Sequence, residues 1–156
     1  MEKETTRTLT RAGVVAGLYI ILTVSLNQIA FGVALGPVYF QFRPAEALTV
    51  LPILFPEAVP ALFIGVLISN LISQFGVLDI VFGSLLTLAA AYVTRRTRKH
   101  LLAWFSPVLF NALGVSIYVA YIITDQWLTP AYWLTYFQLV LSIGISEALV
   151  VFGLGL

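Results

Sequence analysis

The side chains able to do chemistry in this chain are few, and their spacing sets them apart. Arg43 and Glu46 stand in the stretch QFRPAEALTVLPILFPEAVP (residues 41–60), which also holds Glu57 and the prolines Pro44, Pro52, Pro56 and Pro60. Asn111 and Glu147 lie further on, each inside a long apolar run. A carboxylate accepts two parallel N–H bonds from an amidine-like or guanine-like edge, and an amide matches a carbonyl and a ring N–H together. Tyr and Trp stack on rings. Such a set suits recognition of a flat, polar, aromatic molecule. Catalysis fits it poorly: the chain has no Cys, and its one His, His100, sits beside Lys99 in a basic segment. No acid pair on one helix face makes a dyad. The absence of Cys excludes a disulfide framework and a thiolate metal site, and no cofactor is implied. The chain also lacks the G-x-x-x-x-G-K-[ST] phosphate loop, so it does not hydrolyse ATP by itself.

These residues must be positioned by elements that live in lipid. Apolar residues make up 60% of the chain and charged ones only 10%, with a mean hydropathy of +1.01. That composition belongs to an integral membrane protein. A charge facing lipid costs roughly 2.5 to 3.5 kcal/mol even on the lenient insertion scales, so intramembrane charges face a protein interior or a wet cavity. The formal net charge of +1 carries no nucleic-acid signal, because the basic residues gather at two places and act as topology markers. No signal peptide is read at the amino end: the first apolar run is too long and has no small-residue cleavage site.

Residues 1–11 are polar, with Lys3, Arg7 and Arg11, and read as a cytoplasmic lead. The apolar run over residues 12–31 matches the roughly 30 Å hydrocarbon layer at 1.5 Å per residue. Residues 32–42, broken by Gly32, Gly36 and Pro37, read as a loop against the membrane face. Residues 45–74 overshoot one crossing, and Pro56-Glu57 looks like a helix start, so two helices are expected there, the first short or tilted. A fourth helix is expected over residues 79–94, before the cluster Arg95, Arg96, Arg98, Lys99. The positive-inside rule puts that cluster and the amino end on the cytoplasmic side, which requires an even number of crossings between them. A fifth helix over residues 101–124, an outer loop with Trp127, and a sixth from Tyr132 complete the chain. The expectation is an all-α membrane protein with six transmembrane helices, both termini cytoplasmic, forming one domain over residues 1–156.

Depth then becomes readable. Asn27 and Gln28 fall near the outer end of the first helix, Arg43 and Glu46 at the outer start of the second, and Asn70 and Gln74 at the outer end of the third. Asp79 starts the fourth. Asn111 and Glu147 lie near mid-membrane, with Tyr118, Tyr121, Trp133, Tyr136 and Gln138 above them. Polar groups thus converge on the outer half and describe a cup open to the outside, whereas a channel would be lined from end to end. Trp133, Tyr136, Gly144 and Glu147 share a stripe on the sixth helix, and Asn111, Tyr118 and Tyr121 share one on the fifth with Gly114 near it; the glycines would leave room for a ligand. Plainer readings stand beside these. Glu46 and Arg43 pair at a helix start, Glu57 is a helix-start acid, Asp79 an N-cap, Asn27 and Asn70 interhelical polar contacts, and Trp127 an interface anchor.

At the cytoplasmic end of the first helix, Ala12 and Ala16, interleaved with Gly13 and Gly17, would let another helix backbone come close. Six-helix chains with this Ala-xxx-Ala pattern resemble the substrate-binding (S) components of energy-coupling factor (ECF) transporters. More narrowly, FRPAEALTVLP (residues 42–52), PEAVPALFIG (56–65), DIVFGSLLTL (79–88) and SEALVV (146–151) resemble the QueT family of queuosine-precursor transporters. The resemblance implies an S-component bundle in the cell membrane, a transmembrane coupling subunit and two cytoplasmic ATPases as partners, and a 7-deazaguanine precursor or queuine as ligand. It also implies transport by toppling of the whole subunit. The substrate-binding set expected from depth and spacing is Asn27, Arg43, Glu46, Asn70, Asp79, Asn111, Tyr118, Tyr136, Gln138 and Glu147, with Ala12 and Ala16 meeting the partner. An S component for another nutrient such as a vitamin, and a stand-alone secondary carrier, remain alternatives.

Overall fold

The polar lead is helical. The computed structural model describes residues 2–30, 33–35, 38–40, 43–72 and 76–155, with side chains over 3–26, 43–72 and 76–155. Helix α1 spans Glu2–Ala30. No Gly or Pro interrupts it before Gly13, so the helix runs through Lys3, Arg7 and Arg11 into the apolar run. Within residues 32–42, read from sequence as a loop, β1 (Val33–Leu35) pairs antiparallel with β2 (Val38–Phe40), Val33 opposite Phe40. β-branched and aromatic residues there favour an extended backbone over an irregular one.

The second helix is short and tightly wound. Segment α2 (Pro44–Ile53) is a 3-10 helix with Pro44 in its first turn and Pro52 inside it. In 3-10 winding residues three apart eclipse. Glu46, Thr49 and Pro52 therefore form one buried stripe. The Glu46 N–H donates to the Arg43 carbonyl at 3.0 Å, and the Thr49 hydroxyl donates to the Glu46 carbonyl at 2.6 Å. At roughly 2 Å rise per residue α2 covers only about two thirds of the hydrocarbon layer. Helix α3 (Ala58–Asn70) follows Pro56 and Glu57 and is likewise short.

Helix α4 runs Gly76–Arg96, α5 Leu102–Thr124 and α6 Pro130–Leu154; with α1 over Lys3–Leu26 these are long and apolar enough to cross a membrane. Among the described residues six helices are present, and four of them are long and apolar enough to cross a membrane, where six crossings were expected. The start of α4 needs glycine, since Gly76 has φ +67. Starting there, α4 makes Asp79 an interior residue and not the expected N-cap. The cap of α6 is Thr129, whose hydroxyl accepts from the Tyr132 N–H at 3.2 Å, with Pro130 next.

Packing puts α2 at the centre, touching all five other helices, while β2 lies against α6. α1 packs most extensively on α3. A Cβ on Gly65 would lie 3.1 Å from Tyr19 Cβ and 3.3 Å from the Ala16 carbonyl, so glycine sets that close approach. One apolar core joins Val15, Tyr19, Ala58, Leu62 and Val66, and a second joins Val115, Val119, Leu139 and Ile143. The outward faces are apolar: Leu134, Phe137, Leu141, Ile145 and Leu149 on α6 are exposed, while Ser142, Ser146 and Glu147 are buried. Polar groups inside and hydrocarbon outside is the arrangement a bilayer requires.

The ends of the bundle can be matched. Arg11 of α1 pairs with Glu57 at 3.4 Å and covers the Phe55 ring at 4.8 Å. Arg95 of α4 donates to the carbonyls of Pro52 and Ile53, each at 3.2 Å. The amino end of α1, the end of α2, the start of α3 and the end of α4 thus meet on one side, the arrangement required if two helices lie between α1 and α4.

Candidate functional site

From that basic end, Tyr19 is eight residues past Arg11, Asn111 nine past Leu102, and Glu147 seven before Leu154. At 1.5 Å per residue all three lie roughly 10 to 14 Å up the bundle. Glu46, in the first turn of α2, joins them, because α2 begins inside the bundle. This differs from the outer position expected for Arg43 and Glu46: the short 3-10 helix starts at depth, so its first turn comes to rest level with the middles of α1, α5 and α6.

Asn111 is the hub. Its Nδ2 donates to Glu147 Oε1 at 2.6 Å and to Glu46 Oε2 at 3.3 Å. The Tyr19 hydroxyl donates to Glu46 Oε1 at 2.6 Å, and Arg43 Nε lies 3.7 Å from the same oxygen. Glu46 is 1% exposed and Glu147 5%. Two buried carboxylates are therefore tied by one amide, with one guanidinium beside them.

A second group sits higher on the same face of α5. Tyr118 follows Asn111 by seven residues, two turns and roughly 10 Å along the axis. Its hydroxyl donates to Asp79 Oδ1 at 2.7 Å. Asn70 Nδ2 donates to the Asp79 backbone carbonyl at 2.8 Å. Gly83 makes this possible, since a Cβ there would lie 2.8 Å from Asn70 Nδ2 and 3.0 Å from Asp79 Oδ1.

Local backbone geometry marks both groups. Asp79 opens a π turn over Asp79–Gly83, and Asn111 lies in a π turn over Phe110–Val115. π turns inside α-helices are rare and recur at functional sites. In α5 the turn follows Pro107, which has no N–H to continue the ladder and so loosens it.

Arg43, Glu46, Asn111 and Glu147 are thus brought together, as are Asn70, Asp79 and Tyr118. Tyr136 and Gln138 are half-buried on α6. Tyr136 belongs to an aromatic group with Tyr132, Trp133 and Phe137, and Trp133 is exposed where an inward position was expected. Asn27, Gln28 and Gln74 fall outside the residues whose side chains are described. The room expected beside Gly114 is filled by Leu86, whose Cδ2 would lie 2.5 Å from a Cβ there. Gly144 meets Ala112 Cβ at an ordinary 3.5 Å.

Ala12 and Ala16, expected to face a partner, are half-buried and pack against the core shared with α3. Their small size serves the α1–α3 contact inside the chain. The open stripe of α1 is the neighbouring one: Cβ atoms on Gly13 and Gly17 would meet nothing within 4 Å, and Val14, Leu18 and Ile21 are exposed. Tyr19 is the site residue that sequence reasoning missed. Its sequence signal was spacing: Tyr19 continues the stripe of Ala12 and Ala16 by a further three residues.

Comparison with known proteins gives one positive result: the sequence pattern of the family described as QueT transporter matches residues 9–156, nearly the whole chain. No curated protein and no solved structure matches it.

Proposed function

The chain belongs to the QueT transporter family, and from that premise we propose that it is the substrate-capture (S) subunit of an ECF transporter that imports a queuosine precursor, a 7-deazaguanine or queuine. The observation that carries the proposal is the Asn111 amide held between Glu46 and Glu147 in the membrane core. Carboxylates accept paired N–H bonds, and a guanine-like ring presents paired N–H donors along one edge. With both Asn111 hydrogen bonds made by Nδ2 as donor, its carbonyl is the acceptor for a further ring N–H. A ligand of this kind would take over the carboxylate oxygens that Asn111 and Tyr19 now hold, with paired hydrogen bonds of its own.

The basic end of the bundle, with Arg11, Arg95, Arg96, Arg98 and Lys99, faces the cytoplasm on the positive-inside rule, in the cell membrane. The coupling subunit and two cytoplasmic ATPases would then supply the work, and the open Gly13–Gly17 stripe of α1 is the face small enough to admit a partner helix closely.

Calorimetric titration of the purified chain with 7-deazaguanines and queuine tests the reading. Wild type should bind, and Glu147→Ala and Asn111→Ala should each lose about 100-fold in affinity, the usual cost of stranding a buried charge. Equal binding by both variants and wild type would put the pocket elsewhere. Uptake that persists after deletion of the coupling subunit would instead make the chain a stand-alone carrier.

A further inference from the structure

The two carboxylates that share Asn111 are not held alike. Glu46 accepts from the Tyr19 hydroxyl at 2.6 Å and from Asn111 Nδ2 at 3.3 Å, and it has the Arg43 guanidinium 3.7 Å away. Glu147 accepts from the same amide at 2.6 Å, and that donor is neutral. Both acids are deeply buried, 1% and 5% exposed. Among the described side chains on elements packed against α6, α2 brings Arg43 and Glu46 to this group and α5 brings Asn111, while Tyr118 of α5 and its partner Asp79 stand two turns farther along. The cation here is thus paired with one acid of the two. A carboxylate without a partner cation in a membrane core is costly, and two carboxylates that share a site relieve the cost by keeping one proton between them. The acid with fewer donors is the one to keep it.

We propose that Glu147 is a proton-binding group: it carries a proton before ligand arrives, with Glu46 as the ionised partner of Arg43, and gives that proton up to water when a ligand takes its two oxygens. The second half rests on the reading above. A protonated carboxyl group keeps an O–H donor that clashes with an edge of paired N–H groups, whereas the carboxylate accepts from both. On loading, the O–H bond of Glu147 breaks, its electron pair stays on the carboxylate, and two N–H···O bonds from the ligand form, so one proton leaves per ligand bound. Affinity then rises with pH, by about tenfold per unit, over the range in which the ligand-free chain holds the proton and the loaded chain does not.

The test begins without ligand. In lipid nanodiscs at neutral pH, the infrared spectrum of the full chain should contain the C=O stretch of a protonated carboxylic acid. The band should shift when the chain is made with isotope-labelled glutamate, vanish in Glu147→Gln and persist in Glu57→Gln, whose acid pairs with Arg11 at 3.4 Å. The labelling needs no substitution, so the assignment to glutamate survives even if Glu147→Gln fails to fold. Absence of the band, or a band that glutamate labelling leaves in place, overturns the proposal. The second arm measures the heat of binding of 7-deazaguanine and its 7-cyano derivative, neither of which titrates near neutral pH, in two buffers of different ionisation enthalpy. Wild type should release about one proton per ligand, and the glutamate band should disappear on loading. Heats independent of the buffer, or a band that survives loading, overturn the release and leave the transporter reading standing. If neither compound binds, the queuosine-precursor reading falls and the release with it, and the band still decides whether Glu147 holds a proton.

Discussion

Asn111 joins two carboxylates that would otherwise repel across a medium of low dielectric, and its two donated bonds do this without adding a charge. Asn111→Asp replaces the donor by a third acceptor. Variants of this kind should lower stability as well as affinity, by about 3 to 5 kcal/mol where a buried charge is stranded, and thermal unfolding of the purified chain checks the first part. Gly83 is the second single-atom dependence. Its missing Cβ is the space in which Asn70 Nδ2 and Asp79 Oδ1 stand, at 2.8 and 3.0 Å. Gly83→Ala should therefore displace the Asp79 group at a cost of about 1 to 3 kcal/mol, whereas Gly144→Ala, whose Cβ would meet Ala112 at an ordinary 3.5 Å, should leave the unfolding midpoint nearly unchanged. A Gly83→Ala protein as stable as Gly144→Ala would contradict this packing. Tyr19→Phe deletes the 2.6 Å bond to Glu46 Oε1 and should weaken ligand binding about tenfold with the fold intact, roughly the worth of one hydrogen bond to a charged group.

At the scale of elements, the site depends on helices whose backbones depart from regular α geometry. α2 is 3-10 wound, so Glu46 and Thr49 point the same way, and its start lies within the bundle. The π turns in α4 and α5 hold Asp79 and Asn111. α1 sets Tyr19 against α3 through Gly65, where the nearest atoms to an added Cβ include the Ala16 backbone and cannot swing aside. Gly65→Ala should push α1 from α3, lower the unfolding midpoint and weaken ligand binding through the displaced Tyr19. An unfolding midpoint and affinity equal to wild type would show that the α1–α3 contact yields easily. The far end of α2 is held too: Arg95 caps the Pro52 and Ile53 carbonyls, and Arg11 holds Glu57. α2 thus runs from the acidic core to the basic rim as one strut.

Across its described residues the molecule is polar within and apolar without, with four helices of spanning length and two short ones. One open surface toward the basic end is the Gly13–Gly17 stripe of α1 with exposed Val14, Leu18 and Ile21. If a coupling subunit docks there, Gly13→Leu with Gly17→Leu should reduce uptake in cells more than about tenfold by blocking close helix approach, and ligand affinity of the purified chain should stay within about twofold. The paired Ala12→Leu and Ala16→Leu changes should instead harm folding, because those residues pack on the chain's own α3. Uptake unaffected by leucine at both glycines would put the partner elsewhere.

Residue type alone pointed to a membrane protein with six helices and basic clusters on one side, and it singled out Asn111 and Glu147 as polar groups inside apolar runs. These follow from hydropathy, helix length and the cost of burying charge, which are properties of residues in order along the chain. The meeting of Arg43 and Glu46 with Asn111 was hidden, because it depends on α2 starting at depth, and a 3-10 helix between prolines has no periodic signature that tells its starting level. Tyr19 shares the stripe of Ala12 and Ala16, but that its hydroxyl meets Glu46 depends on the level at which α2 starts. The π turns could not be read either: a π turn differs from an α turn by one residue of hydrogen-bond register, which side-chain spacing leaves open and only packing against neighbouring helices decides.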